Sequence, residues 1–212
     1  MKTRFESREA LIAEHGKQGT LVDSDLSFLD LSGMDLAGMD LAGSTLSGAL
    51  LQGTNLSGCN LANIFVQESD FSGVIIEEAN LQNAFFQRVT MPGASFRGSN
   101  LHHARILICD LQGSNLSGAD FSDADMQGSD CSGCDFSDSL LVDLTLRGGT
   151  LTDAKFERCD MRRVDLRKTN LHDATYTDVQ TDGALFYGKS PWDRQLSHET
   201  NLKEKMVTFD GE

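Results

Sequence analysis

The chain has 212 residues, 39% of them hydrophobic, and a formal net charge of −14. That acidity excludes a protein that grips nucleic-acid backbone directly, because such binding takes basic surface. No apolar run approaches the roughly 20 residues of a membrane-spanning helix, so no membrane insertion is expected.

Met1-Lys2-Thr3-Arg4-Phe5-Glu6 leads into no signal-peptide core, and the expected location is the cytoplasm. Ser7 to Gly16 reads as a short helix, with Ser7 as N-cap and Gly16 as the stop. Leu11 and Ile12 are placed to cover the open end of whatever follows, so residues 1–20 are expected to form an N-terminal helical cap.

From Leu21 to Tyr176 every fifth residue is apolar: thirty-two centres in register, eighteen of them Leu and six Phe. Two residues before each centre from Ser24 to Ala174 sits a second uncharged slot, filled mainly by Ala, Ser and Cys. A period of 3.6 cannot keep these positions on one side, and an alternation of two flips face at each odd step. A short extended piece followed by a corner satisfies the pattern, with two side chains inward and three outward. Fourteen of the twenty Gly fall two residues after a centre, where a type II turn needs positive φ, and Met91-Pro92-Gly93 carries the Pro-Gly signature of that turn.

Units such as Ala119-Asp120-Phe121-Ser122-Asp123 and Thr54-Asn55-Leu56-Ser57-Gly58 resemble the A(D/N)LXX motif of the pentapeptide-repeat family. The resemblance implies an all-β solenoid: a right-handed quadrilateral β-helix with four pentapeptides per coil, so that residue n stacks on n+20. About eight coils spaced by about 4.8 Å give a rod roughly 38 Å long, with short helical caps at both termini. The repeat region is expected over residues 21–186 and a capping or dimerisation segment over 187–212.

Between Leu21 and Gln87 there is no Lys or Arg, against nine acidic residues. Asn60, Asn80 and Asn100 share a column and are expected to form a stacked amide ladder. Phe65 and Phe85 stack in outward positions, and Leu107 with Ile108 occupies the outer slots of the next coil on the same face. Such an apolar patch marks a candidate partner interface. From Asp110 to Asp143 eight Asp occur without a basic residue; Asp110 stacks with Asp130 and Asp123 with Asp143, which reads as a solvated acidic face.

Arg147, Arg158, Arg162, Arg163, Arg167 and Lys168 then crowd into about one coil, a candidate docking patch for an acidic partner among mixed surface charge. His102 and His103 are adjacent, whereas His172 falls on another wall, so these three cannot share a metal. The five Cys all occupy inward slots; Cys131-x-x-Cys134 reads as buried small hydrophobes, with no second pair to complete a metal site. After Tyr176 the pattern weakens, Thr181 takes a centre and Phe186 restores the register. Ser190-Pro191 opens a helix in which Trp192 and Leu196 are candidate contacts, with Phe186 and Tyr187, for a cap or a homodimer.

No nucleophile-base set, phosphate loop or metal motif is present, so neither enzymatic activity nor a cofactor is expected. A non-enzymatic protein-interaction scaffold is the first reading. The opening residues Ser7 to Leu36 resemble repeat modules found beside type VI secretion components, which implies a link to that system. The gyrase-protecting members of the family imply a second reading, a DNA mimic that binds DNA gyrase or topoisomerase IV and confers fluoroquinolone protection; a secreted effector is the third.

Overall fold

In a computed structural model the backbone returns to the same column every twenty residues: parallel bridges join Thr20 to Asp40, Asp40 to Asn60 and Asn60 to Asn80, continuing to Asp160 and Gln180. The structure describes residues 3–18, 20–187 and 207–208. Four pentapeptides close each coil of a right-handed, four-sided β-helix. The first wall carries the centres 21, 41 and so on to 181; the second carries 26 to 186, the third 31 to 171 and the fourth 36 to 176.

Each wall forms because a pentapeptide bonds sideways to the coils before and after it. Leu21 N–H donates to Asp40 O at 2.8 Å, while Thr45 N–H donates back to Ser24 O at 2.9 Å. The corner closes on itself: Ser24 N–H reaches Leu21 O at 3.2 Å, and the residue two after the centre takes positive φ. Gly93 holds that place after Pro92 at φ 64°, in agreement with the Pro-Gly signature. Where Gly is absent, Asn and Asp take half of these corners, as at Asn63, Asn83 and Asp123, because their short polar side chains tolerate the left-handed region.

Where Asp or Asn precedes a centre, it has a local task. Its Oδ1 accepts the N–H two residues on, as from Asp30 to Ser32 at 3.0 Å and from Asp120 to Ser122 at 2.9 Å. Much of the acidity is therefore part of the turn. The expected amide ladder forms in part: Asn80 Nδ2 donates to Asn60 Oδ1 at 3.1 Å and Asn60 Nδ2 to Asp40 Oδ1 at 2.9 Å, while Asn100, whose Oδ1 accepts the His102 N–H at 3.0 Å, does not extend it.

The centres fill the interior from Leu21 to Phe186, with Leu171 only half-buried. On the fourth wall Phe136, Phe156 and Tyr176 stack at 4.9 and 5.2 Å, nearly parallel. The second inward slot holds small residues for two reasons: space, and a carbonyl to satisfy. Ser44 Oγ–H donates to Leu21 O at 2.6 Å and Thr54 to Leu31 O at 2.8 Å, and the thiols of Cys59 and Cys134 do the same at 3.0 Å. Burial pushes the Cys59, Cys109 and Cys159 thiols up to about 11, which suppresses the reactive thiolate.

The ends differ from expectation in detail. Ser7 Oγ does accept Ala10 N–H at 3.1 Å as an N-cap, but α1 (Arg8–Gln18) runs past Gly16 rather than stopping there. Leu11 is fully buried while Ile12 is 51% exposed, because neighbours on a helix point about 100° apart. Only Leu11 of that pair covers the first coil. The cap also contains a strand that the helical reading missed: β1 (Thr3–Arg4) pairs with β2 (Ser24–Asp25) and buries Phe5. This strand satisfies an open edge that would otherwise invite aggregation. At the other end Thr181, Ala184 and Phe186 are buried, so the core continues to residue 186.

Candidate interaction surface

Outward positions on most of the rod are polar, and the second wall is where three successive coils break that rule. There β3 (Phe65–Gln67), β4 (Phe85–Gln87) and β5 (Arg105–Leu107) form a three-stranded parallel sheet in direct register. Phe65 and Phe85 stack with ring centroids 5.1 Å apart and planes 7° from parallel. The Arg105 guanidinium sits 5.1 Å from the Phe85 centroid and closes that end of the stack by cation–π contact. Beside them runs an amide column in which Gln67 Nε2 donates to Gln87 Oε1 at 2.7 Å, and Leu107 continues it half-buried.

Ile108 lies one position further at the corner, 57% exposed, with φ 56°. A β-branched residue in the left-handed region is strained, at a cost of about 1–2 kcal/mol. In the same corner column Phe28 is 79% exposed at φ 64°. Sequence reading missed Phe28, although its position two after centre Leu26, where Gly is usual, is the signal that finds it. The four residues singled out from sequence thus share one wall, the Phe pair and Ile108 being separated by the glutamine column.

The basic residues do not form one patch. Arg158 stands on the fourth wall, Arg162 and Arg163 on the first, and Arg147, Arg167 and Lys168 on the second. Four of them grip carboxylates. Arg158 makes two hydrogen bonds to Asp138 at 2.6 and 2.7 Å and a further one to Glu157. Arg163 holds Asp143 at 2.7 and 2.5 Å, Arg162 holds Asp160 and Arg167 holds Asp165. The Arg158 and Arg163 hydrogen bonds lower the Asp138 and Asp143 pKa values below the usual carboxylate range.

Phe186 is buried in the last described coil, where β6 (Leu185–Phe186) pairs with β7 (Val207–Thr208), and Tyr187 is exposed. Trp192 and Leu196 lie outside the described residues. His102 and His103 meet Asp123 of the next coil; the twenty-residue offset from 103 to 123 is the signal that places them together.

A family model described as a pentapeptide repeat region matches residues 107–176, and one described as pentapeptide repeats (8 copies) matches 21–58, 49–88 and 75–106. No curated protein matches the sequence. Among solved structures, trypsin-treated QnrB1, a plasmid-mediated fluoroquinolone resistance protein, is 19% identical over 75% of this chain and 92% of its own, with a TM-score of 0.54. HetL, a protein involved in heterocyst differentiation regulation in the cyanobacterium Nostoc sp. strain PCC 7120, is 19% identical over 86% of this chain and 98% of its own, with a TM-score of 0.36. No helix among the described residues is long and apolar enough to cross a membrane.

Proposed function

From its membership of the pentapeptide-repeat family, we infer that this chain is a cytoplasmic, non-catalytic scaffold that docks a protein partner on the second wall. The observation that carries this reading is the outward Phe65–Phe85 stack beside an exposed, strained Ile108. Exposed apolar area gains free energy only when covered. A left-handed Ile adds local strain that Gly at the same corner would avoid. Backbone bonding between the coils supports the reading too, with Phe85 N–H donating to Ile64 O at 2.9 Å and Arg105 N–H to Ala84 O at 2.8 Å, since a preorganised surface loses little entropy on binding. The type VI secretion setting implied by the N-terminal repeats belongs to this proposal, as does a homodimer through the C-terminal segment.

The test is a Phe65→Ser, Phe85→Ser double variant compared with the parent by sedimentation velocity and by affinity capture from cells of the source organism. Partner species or self-association held by the parent should be lost from the variant. The reading fails if both chains retain the same set, secretion components included.

A second reading, a DNA mimic directed at gyrase or topoisomerase IV, is favoured by one observation. From Leu21 to Gln87 the coils carry nine acidic residues and no Lys or Arg. A supercoiling assay with and without ciprofloxacin separates the two. Protection or inhibition makes mimicry the better account, and no effect leaves the scaffold.

A further inference from the structure

We propose that His102, His103 and Asp123 form a surface site on the first wall for a borderline divalent ion of the Zn2+ class. The two histidines take the outward positions of the corner after Leu101. The φ of 58° at His103 turns the chain so that the imidazoles face each other, with centroids 3.9 Å apart and planes tilted by 46°. Asp123 holds the same corner position one coil later. Its Oδ2 lies 4.0 Å from His102 Nδ1, and one ligand atom from each of the three residues lies within 4.8 Å of the others.

Zn2+ binds imidazole nitrogen and carboxylate oxygen at about 2.0–2.2 Å, which sets two ligands on one ion roughly 3–3.5 Å apart. The ligand atoms stand wider than that, at up to 4.8 Å, and an ion would draw them together by side-chain rotation. Asn83 N–H donates to His102 O and His103 N–H to Ser122 O, both at 3.1 Å, so the corner is anchored to the coils on either side.

Charge in the column is arranged to leave Asp123 facing the imidazoles. Asp143, the next carboxylate along, is gripped by both the Nε and the Nη2 of Arg163 at 2.7 and 2.5 Å. Two imidazoles and one carboxylate suit borderline divalent ions better than Mg2+ or Ca2+, which take oxygen ligands. Three protein ligands leave coordination positions for water or for a group on a docked molecule. A plain His102–Asp123 ion pair would account for two of these residues and leave His103 without a part, so His103 decides between the accounts. The site stands on a different wall from the Phe stack and does not rest on the scaffold reading.

The experiment titrates the full chain with Zn2+ in a calorimeter and with Co2+ in an absorption spectrometer. One ion should bind per chain, with a nitrogen and oxygen ligand spectrum for Co2+. His103→Ala and Asp123→Asn should each weaken binding by more than about tenfold, a loss that even outer-shell changes can produce. His172→Ala, whose imidazole sits against Asp173 at 2.8 Å on the third wall, should leave it unchanged. All three substitutions point outward, and unchanged circular dichroism would show the coil intact. Absence of stoichiometric binding, binding that survives a His102→Ala, His103→Ala double variant, or a sulfur-to-cobalt charge-transfer band that puts the ion on the thiols would each overturn the assignment.

Discussion

Coils three to five on the second wall break the polar rule of the rod surface, whereas the two coils before the C-terminal end keep it with a crowd of charges. In the first region Phe65 and Phe85 stack on each other and Arg105 caps the stack, leaving Phe65 38% exposed and Ile108 57% exposed. In the second, Arg158 and Arg163 reach back one coil to Asp138 and Asp143, and Arg162 and Arg167 close on Asp160 and Asp165 within their own repeats. The twenty-residue column produces both arrangements. Like aromatic residues in a column reinforce an apolar strip, whereas alternating charges in a column cancel. A crowd of Arg in the sequence is therefore poor evidence for a basic docking site in this fold, while a repeated Phe is good evidence for an apolar one.

If the regions differ only at the surface, their interiors should be equally sensitive. Phe86→Ala beneath the aromatic wall and Phe156→Ala beneath the arginine coils remove fully buried rings. Each is expected to destabilise the rod by about 3–5 kcal/mol in chemical denaturation. A loss under about 1 kcal/mol at either would show that one region is loosely packed and break the comparison.

Ile108→Gly is expected to act in two directions. Relief of the left-handed strain should raise stability by about 1 kcal/mol, while any partner that needs the second wall should bind less well. A variant that is destabilised would mean that Ile108 is held by packing rather than displayed.

The arginine region should show its pairing in pH dependence. The Asp138 and Asp143 pKa values are lowered chiefly by hydrogen bonds from Arg158 and Arg163, so the folded state binds fewer protons than the unfolded one near the carboxylate pKa. Their contribution is full above about pH 4 and is lost as pH falls through the lowered folded values. Asp138→Asn and Asp143→Asn should lower the denaturation midpoint slightly at neutral pH, with the gap from the parent closing in acid. The effect is the smallest of the three because these pairs are exposed and screened by solvent. A gap that persists at low pH would assign it to something other than the ion pairs.

Much of this architecture was legible in residue order alone. A five-residue period states which side chains go inward, and Gly, Asn and Asp at one phase state where the chain must turn, because both are local constraints repeated without slip from Leu21 to Tyr176. The twenty-residue coil, implied by resemblance, then placed Phe65 on Phe85 and Asn60 on Asn80. The tertiary structure decided what depends on reach across coils: that Arg163 takes Asp143 while Asp123 turns to His102 and His103, and that the basic residues spread over three walls. It also decided the N-terminal cap, where no repeat instructs the chain. There the unpaired edge of the first coil recruits Thr3 and Arg4 as an added strand, because an exposed row of backbone donors and acceptors is satisfied by whichever segment lies within reach.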